Sequence, residues 1–488
     1  MEFSEALPLL MFAALALLLF SGFPVAFVLG GVGLGFGFIG IATGGFSMIQ
    51  FGAVPSRLFG GIAESLILTA IPMFILMGTV LERSGAARDL LNCLQVLLKR
   101  IPGGLALSVT LMGTIMAATT GIIGASVVMM TLLSLPVMME RQYNRALATG
   151  TIAASGTLGI LIPPSIMLVI MADLLAKSVG NMFMAAVFPG LILSGLYFVY
   201  LIIRCMSNPS LAPIPSGDFG PKTLGGTLNM VVRSFIPPVF LIFLVLGSIL
   251  LGWATPTEAA GVGAAGAMLI ALINFVVLPA LGIKEVHFGG ELSHGVEGEH
   301  DDLTVHDNLK SFGKMMRDAV MSTALTNAMI FGIFVGATIF SFVFRSLGGD
   351  DIVIEFVEAL GLGSWGLLFL IMGIVFLLGF FFDWIEITLI VLPVFTPIIE
   401  LLDFGAHVDQ FEVVYWFAIL MAVNLQTSFL TPPFGFALFY LKAVAPPGVR
   451  LQDIYLGIIP FVLLQLVGLG LVMAFPDIAL WLPRTMLN

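Results

Sequence analysis

Long stretches of this chain carry no Asp, Glu, Lys or Arg, and this feature most constrains the fold. The stretches include residues 101–139, 146–172, 178–203, 234–257, 259–283, 359–382, 413–441 and 454–476. Each exceeds the roughly 20 residues that a helix needs to cross about 30 Å of hydrocarbon. An outer-membrane barrel would instead show alternating strands of about ten residues. The pattern predicts an all-α polytopic membrane protein.

Composition agrees with this prediction and excludes some partners. Only 10% of the 488 residues are charged and 59% are hydrophobic, whereas a soluble domain carries about 25% charge. The net charge of −10 argues against a nucleic-acid partner, which requires clustered basic surface. The two cysteines, Cys93 and Cys205, are too few for a disulfide framework. Because residues 7–44 follow acidic rather than basic residues, we expect a retained membrane segment or helix pair and not a cleaved signal.

Two polar stretches, 207–227 and 284–318, divide the hydrophobic sequence. We predict N-terminal scaffold helices over 1–63, a first repeat over 64–205, a connector with scaffold helices and an acidic insert over 206–319, and a second repeat over 320–488. The insert holds four histidines among carboxylates, which suit zinc, but their spacing matches no ligand motif and a solvated acidic loop explains the same residues. Its basic end, 308–317, predicts an amphipathic helix at the membrane surface.

Two segments resemble each other, one in each half. Residues 155–165 read SGTLGILIPPS and residues 424–435 read NLQTSFLTPPFG, so each ends near a Pro pair within a charge-free run. Upstream, Leu-Pro-Val occurs at 135–137 and again at 392–394. Matched interruptions in two halves of a membrane protein indicate a transporter binding site.

The Pro pairs predict broken helices, because proline removes a backbone donor and restricts the residue before it. Carbonyl and amide groups freed in hydrocarbon cost several kcal/mol each unless something binds them. Two broken helices would offer carbonyl oxygens to a cation and helix N-termini to an anionic solute. Nearby hydroxyls could complete such a site, namely those of Ser155, Thr157, Ser165, Thr427, Ser428 and Thr431. A simple proline kink between packed helices is the alternative.

A helical hairpin is expected before each broken helix. The uncharged run 101–139 is too long for one span and too short for two with a loop, so a re-entrant hairpin with its tip near 116–126 fits its length. Its counterpart is 379–386, where Asp383 and Glu386 interrupt apolar sequence. A buried carboxylate costs about 2.5–3.5 kcal/mol on insertion scales, so the pair, three residues apart, is either a cation site on one helical face or the cap of a short loop.

Three segments carry a resemblance to a known family: IPMFILMGTVLERSG (71–85), GTLGILIPPSIMLVI (156–170) and NLQTSFLTPPFGFALFYLK (424–442). They resemble the large membrane subunit of TRAP transporters, the tripartite ATP-independent periplasmic carriers. The resemblance extends from about residue 8 to 480. The stretch DWIEITLIVLPVF (383–395) and the polar insert resemble the branch named for mannitol and chloroaromatic compounds.

The resemblance implies two inverted repeats with re-entrant hairpins and broken helices, arranged as an elevator-type scaffold and transport domain. It implies sodium-coupled import of an organic acid across the bacterial inner membrane. The partners implied are a small four-helix membrane subunit and a periplasmic substrate-binding protein, with sodium as the coupling ion and no other cofactor.

Candidate ligands follow from the same resemblance. One sodium site would use Ser126 with the loop through Gly159, Leu161 and Pro164, and the other would use Asp383 with the loop through Ser428, Thr431 and Pro433. Apart from the resemblance, we predict that Thr119, Thr157, Ser165, Glu386 and Thr427 bind the solute. The family's first hairpin tip commonly reads Ser-Gly-Ser-Ser, whereas residues 124–126 read Gly-Ala-Ser, so one hydroxyl ligand is missing there.

Two other functions are compatible with a polytopic chain. The first is a stand-alone sodium- or proton-coupled organic anion carrier without a binding protein. The second is a non-transporting subunit of a respiratory complex, which predicts buried chains of Lys, Glu and His that the spans lack. The sequence contains no nucleophile elbow, HExxH or P-loop signature, so we predict that it is not an enzyme.

Overall fold

The protein is built from helices, and its computed structural model describes residues 3–120, 123–214, 220–281, 305–432 and 435–486, with no β-strand in those ranges. In the first half the helices are α1 Phe3–Leu19, α2 Val25–Thr43, α3 Met48–Phe51, α4 Val54–Leu58, α5 Ala70–Arg83, α6 Ala86–Leu97, α7 Gly104–Thr120, α8 Ile123–Glu140, α9 Arg145–Thr157, α10 Ile166–Leu174 and α11 Val179–Ser207. They continue as α12 Leu224–Met230, α13 Ile236–Leu250, α14 Pro256–Leu272, α15 Leu278–Ala280, α16 Val305–Ser346, α17 Gly349–Ala359, α18 Ser364–Leu378, α19 Trp384–Ile399, α20 Val413–Leu430, α21 Phe436–Val444, α22 Leu451–Ala474 and α23 Asp477–Met486.

Short π-helical segments join some of these helices into longer rods. The segment Val231–Phe235 connects α12 to α13, and Ile273–Val277 connects α14 to α15. With these joints, eight helices of the described chain are long and apolar enough to cross a membrane. The prediction of an all-α polytopic protein is confirmed. The window with the largest buried share belongs to α20, with 94% of its residues inside the protein, so this helix lies at the centre of the fold.

The two halves of the chain repeat one order of elements. Helices α5 and α6 precede the hairpin α7–α8, the broken helix α9–α10 and the long helix α11; the same order recurs from α16 to α22. The two predicted repeats, each with a hairpin and a broken helix, are therefore present. The predicted boundaries at 63, 205 and 319 stay predictions.

One difference from expectation concerns the start of the second repeat. Residues 308–317, predicted as an amphipathic helix at the membrane surface, are helical and lie in the first turns of the 42-residue helix α16. A helix of that length extends about 63 Å, roughly twice the hydrocarbon thickness. Residues 284–304, which make up most of the acidic insert, lie outside the described residues, and they include His287, His294 and His300. Within the described ranges, no cluster of His, Cys, Asp and Glu is placed to hold a metal ion.

Helix packing divides the molecule into an outer and an inner group. In the outer group, α2 packs along α16 and α5 packs along α14. In the inner group the repeats interleave, because α8 contacts α21, α10 contacts α19, α9 contacts α22 and α11 contacts α20. Each broken helix is thus enclosed by elements of both repeats.

Glycines bring two inner helices into backbone contact. A Cβ atom on Gly150 of α9 would lie 2.0 Å from the carbonyl oxygen of Gly457 on α22, and one on Gly457 would lie 2.1 Å from the carbonyl oxygen of Ala146. Small residues permit this approach between membrane helices, where packing rather than the hydrophobic effect drives association. The contact fixes the first broken helix against the last long helix of the second repeat.

Charged side chains at the edge of the inner group are held by protein partners. Lys177 lies 4.0 Å from a carboxylate oxygen of Glu400, and Lys442 donates to the Val449 carbonyl at 2.7 Å. Arg484 of α23 donates to Glu412 at 2.7 Å and to Asp477 at 2.6 Å. The hydrogen bond and charge of Glu412, and then those of Asp477, raise the pKa of the Arg484 guanidinium above its ordinary value.

Candidate functional site

The first broken helix is interrupted by tight turns ahead of a Pro pair. Helix α9 ends at Thr157 and continues as one 3-10 turn, Leu158–Ile160. The Leu158 carbonyl then accepts from the amides of Leu161 and Ile162, at 3.0 and 3.1 Å. The peptide between Pro163 and Pro164 is cis, and α10 begins directly after Ser165. The predicted ligands Gly159, Leu161 and Pro164 all lie in this break.

The second broken helix is interrupted at the matching place. Helix α20 ends at Leu430, Thr431 turns to extended backbone, and α21 begins at Phe436. Gly435, just before α21, has a positive φ of 25°, where a Cβ would meet Leu438 at 2.9 Å and the Phe429 carbonyl oxygen at 3.1 Å. Pro433 lies outside the described residues. The broken-helix prediction is confirmed in both halves.

The hydroxyl groups at both breaks donate hydrogen bonds to backbone carbonyl oxygens. Thr157 donates to the Ala154 carbonyl at 2.9 Å, Ser428 to the Asn424 carbonyl at 3.2 Å, and Thr431 to the Thr427 carbonyl at 2.7 Å. A hydroxyl whose O–H is engaged as a donor in a hydrogen bond presents its oxygen lone pairs to other groups. The predicted ligands are therefore oriented as acceptors, which suits a cation better than an anion.

The first hairpin packs against the end of α9, next to the first break. A Cβ atom on Gly156 would lie 2.5 Å from Cγ2 of Val127 and 3.3 Å from its Cα. Ser126, the neighbour of Val127, is buried at 4% exposure in the first full turn of α8. Gly156 therefore lets the start of α8 approach the end of α9, and it brings Ser126 next to the turn that contains Gly159.

The second hairpin makes an even closer contact. A Cβ atom on Gly379, at the tip between α18 and α19, would lie 2.0 Å from Cβ of Ser428 and 2.3 Å from its Oγ. One turn earlier on α20, the Asn424 amide donates to the Met372 carbonyl of α18 at 2.7 Å. The two contacts hold the second hairpin and the second broken helix in register.

Asp383 and Glu386 form a capping box at the start of α19. The Trp384 amide donates to Asp383 Oδ1 at 2.8 Å, and the Asp383 amide donates to Glu386 Oε2 at 3.1 Å. The pair therefore caps the start of α19, and Asp383 stands just outside the helix instead of sharing a helical face with Glu386. The cation site at this pair stays a prediction. The box explains how two carboxylates persist in apolar sequence, because the N-terminus of α19 supplies partial positive charge.

The capping box does not use every lone pair of these two carboxylates. An ionised carboxylate has about four lone-pair sites, and the box engages only part of that capacity. Both side chains are half-buried, and they lie at the same tip as Gly379, which contacts Ser428. The carboxylates therefore follow, at the same hairpin tip, a glycine that is in contact with Ser428 of the second broken helix.

The predicted solute ligands differ in how deeply they are buried. Thr157, Ser165 and Thr427 are fully buried, and each hydroxyl donates within its own broken-helix segment. Glu386 is half-buried at the second tip. Thr119 occupies the last turn of α7, next to the first tip. A solute role for these five residues stays a prediction.

Sequence reasoning missed two residues, Gln426 and Tyr440. Gln426 on α20 is fully buried, and neither atom of its amide has a hydrogen-bond partner among the described residues. A signal existed, since Gln426 and Thr157 each stand six residues before a Pro pair. Tyr440 on α21 lies with its ring over Gly124 of the first hairpin, and no sequence pattern predicted this contact.

Comparisons with known proteins give the family. The family model of the tripartite ATP-independent periplasmic transporter, DctM component, matches residues 12–478. The C4-dicarboxylate TRAP transporter large permease protein of Pseudomonas aeruginosa is 29% identical over 86% of this chain and 87% of its own. The corresponding protein of Rhodobacter capsulatus is 28% identical over 98% of both chains. The isethionate TRAP transporter permease protein DctMQ of Oleidesulfovibrio alaskensis is 28% identical over 98% of this chain and 67% of its own.

A solved structure supports the fold. The structure of the Alcanivorax borkumensis YdaH transporter covers 90% of this chain and 90% of its own with a TM-score of 0.58, at 13% sequence identity. The likeness concerns the fold alone. The family match extends over nearly the whole chain, and the candidate spans make it a multi-pass protein of the bacterial inner membrane. The chain belongs to the DctM family, the large permease component of TRAP transporters, and it is a transport protein rather than an enzyme.

Proposed function

We propose that this permease imports an organic acid by sodium-coupled secondary transport, and that a periplasmic binding protein delivers the solute. The observation that supports sodium coupling is the second hairpin tip, which carries the half-buried carboxylates of Asp383 and Glu386 and touches Ser428 of the second broken helix through Gly379. Sodium requires oxygen ligands, and the hydroxyls of both breaks are oriented as acceptors.

The organic-acid part of the proposal rests on relatives. Two similar permeases are named for C4-dicarboxylates. A carboxylate solute would meet the positive end of a helix at each break, because α10 and α21 both begin there. Cations bound near Asp383 would offset the repulsion between the solute and the protein carboxylates.

The partners proposed are a small four-helix membrane subunit and the binding protein. The isethionate permease supports a second membrane component, since about a third of its length lies outside the matched region. In this assembly the inner helix group would move as the transport domain and the outer group would serve as the scaffold, in an elevator-type cycle.

Reconstitution tests the proposal. The chain is placed in liposomes with its small subunit, and uptake of a labelled C4-dicarboxylate is followed with and without binding protein, under an inward sodium gradient or an inward proton gradient. We expect uptake only with both sodium and binding protein. Uptake that follows protons and ignores sodium would overturn the coupling, and uptake without the binding protein would favour a stand-alone carrier.

A further inference from the structure

An apolar cavity of about 280 Å³ lies between α1 and the second hairpin, outside every predicted site. Its walls come from α1, α18 and α19, with Val353 of α17 at one side, and every side chain that lines it is apolar. The second hairpin supplies a stripe of lining residues, namely Phe382, Ile387, Ile390, Val391, Val394 and Phe395. The stripe extends about 20 Å, so the cavity follows most of α19.

The cavity opens towards the hydrocarbon of the bilayer. Ala16 on α1 lines it and is exposed, and the next residue, Leu17, is 74% exposed. On α18 the lining residue Leu378 is half-buried and follows the exposed Leu377. Both helices are apolar along their length, so lipid surrounds this edge of the protein. Because an apolar cavity of about 150 Å³ stays dry and takes up benzene, this larger cavity suits hydrocarbon better than water.

A guanidinium lies at one end of the cavity. Arg345, in the last turn of α16, donates to the Pro393 carbonyl, and its Nε lies 3.7 Å from Asp350 Oδ2. Pro393 directly precedes the lining residue Val394, and Asp350 lies one turn before the lining residue Val353. The Arg345 side chain is 45% exposed, and these two contacts engage only part of its five N–H donors.

The contact between Arg345 and α19 has a local cause in the sequence. In an α-helix, the carbonyl of residue 393 accepts from the amide of residue 397. Residue 397 is a proline inside α19 and has no N–H. The guanidinium supplies the missing donor, so it is held at this end of the cavity.

We propose that the cavity binds one acyl chain of a bilayer phospholipid and that Arg345 holds the phosphate of this lipid. An apolar cavity that ends at an exposed guanidinium matches the two parts of such a molecule, a hydrocarbon chain and an anionic headgroup. Arginine binds phosphate through paired N–H donors, and basic pockets between membrane helices bind lipid headgroups. Asp350 competes for the same guanidinium. The inference does not depend on sodium coupling or on the identity of the solute.

Photocrosslinking tests the acyl chain. The transporter with its small subunit is placed in nanodiscs that contain a phosphatidylethanolamine with a diazirine near the end of one chain, and labelled residues are mapped by mass spectrometry. We expect labels on Ile387 and Val391, which are 1% and 2% exposed, because only a chain inside the cavity reaches them. Ala16→Phe should reduce these labels several-fold by filling the opening. Leu17→Phe, the matched control on the bilayer side of α1, should leave them unchanged.

Native mass spectrometry of the transporter released from the same nanodiscs tests the phosphate contact. Arg345→Gln should lose a retained phospholipid, whereas Arg345→Lys should keep it, because lysine binds phosphate as a point charge. Asp350→Asn should raise the retained fraction, since the carboxylate no longer competes for the guanidinium. A purely structural pair of Arg345 and Asp350 predicts no such increase.

Three results would overturn the inference. Labels on Ile387 and Val391 that are absent from the wild type, or that persist in Ala16→Phe, would exclude the acyl chain. Equal lipid retention in Arg345→Gln and the wild type would exclude the phosphate contact. If the small subunit crosslinks to these residues and excludes lipid, the cavity is a protein interface and the proposal is wrong. Lipid labelling without sodium-dependent uptake would contradict the proposed function alone.

Discussion

The two hairpins share a sequence frame and differ in charge. Ser126 and Asp383 each stand nine residues before the leucine of a Leu-Pro-Val sequence, and each lies at the start of the second hairpin helix, α8 or α19. The first tip offers a buried hydroxyl, whereas the second offers two carboxylates held in a capping box. The two repeats therefore share the scaffold of the site and differ in its electrostatics.

This difference predicts unequal roles for the two sites. Carbonyl and hydroxyl dipoles alone bind a cation more weakly than ionised carboxylates do, because in a low-dielectric interior the full charges dominate the interaction. The second site should therefore contribute most of the sodium affinity, and the first should depend on closure of its hairpin. Substitutions at both hairpin tips and at their glycine contacts test the inequality.

The largest effect is expected from Asp383→Asn. Asparagine caps a helix about as well as aspartate, so the variant should keep α19 intact and lose only the charge. Removing one of two carboxylates that hold the same cation costs about 3 kcal/mol, a factor of roughly 100 in sodium affinity. Sodium titration of uptake measures this. Glu386→Gln, which also keeps the capping box, is the matched comparison, and an unaltered sodium dependence in Asp383→Asn would remove Asp383 from the site.

Gly379→Ala should have the next largest effect. The added methyl would lie 2.0 Å from Ser428 Cβ, and such overpacking costs about 1–3 kcal/mol. We expect uptake to fall by roughly tenfold or more. Gly156→Ala tests the equivalent contact of the first repeat, where the clash is with the Val127 side chain at 2.5 Å and can relax further. Equal losses from the two substitutions would contradict the proposed inequality.

Ser126→Ala should have a smaller effect. The substitution removes one neutral oxygen ligand, which is worth about 1 kcal/mol, or roughly a fivefold rise in the sodium concentration that gives half-maximal uptake. Expression and the thermal midpoint should stay near those of the wild type. A loss as large as that of Asp383→Asn would show that the first site carries as much of the affinity as the second.

The smallest change is expected in stability rather than in transport. Gln426→Leu removes a buried amide that has no hydrogen-bond partner among the described residues, so the thermal midpoint should rise by an amount equivalent to about 1 kcal/mol. Thr157→Val at the matching position removes a hydroxyl that is already bonded to Ala154 and should lower the midpoint slightly. A fall in the midpoint of Gln426→Leu would indicate that the amide has a partner.

Much of the architecture could be predicted because the bilayer leaves few choices. The length of the charge-free run predicted the hairpin over 101–139, and the Pro pairs predicted both broken helices. Both predictions were possible because backbone groups without hydrogen bonds are costly in hydrocarbon. The capping box was harder to predict, because a spacing of three fits both a helical face and an N-terminus. The interpretation depends on whether the helix begins before or after Asp383.

Contacts between distant segments could not be predicted. Two such contacts are that of the Tyr440 ring with Gly124 and that of Gly379 with Ser428. They depend on how the repeats pack together, which a single sequence does not predict. The isolation of Gln426 is likewise a property of its surroundings, because an amide beside a Pro pair is equally compatible with a hydrogen-bonded position.

The glycine contact between α9 and α22 has a consequence for how motion in this protein should be observed. Backbones touching at Gly150 and Gly457 leave no room for sliding, so spin labels placed on these two helices should report one narrow distance throughout turnover. Labels that pair α16 with α19 should instead report a broad or bimodal distribution if the inner group travels. The α9–α22 distance would then be the internal control for the α16–α19 distance.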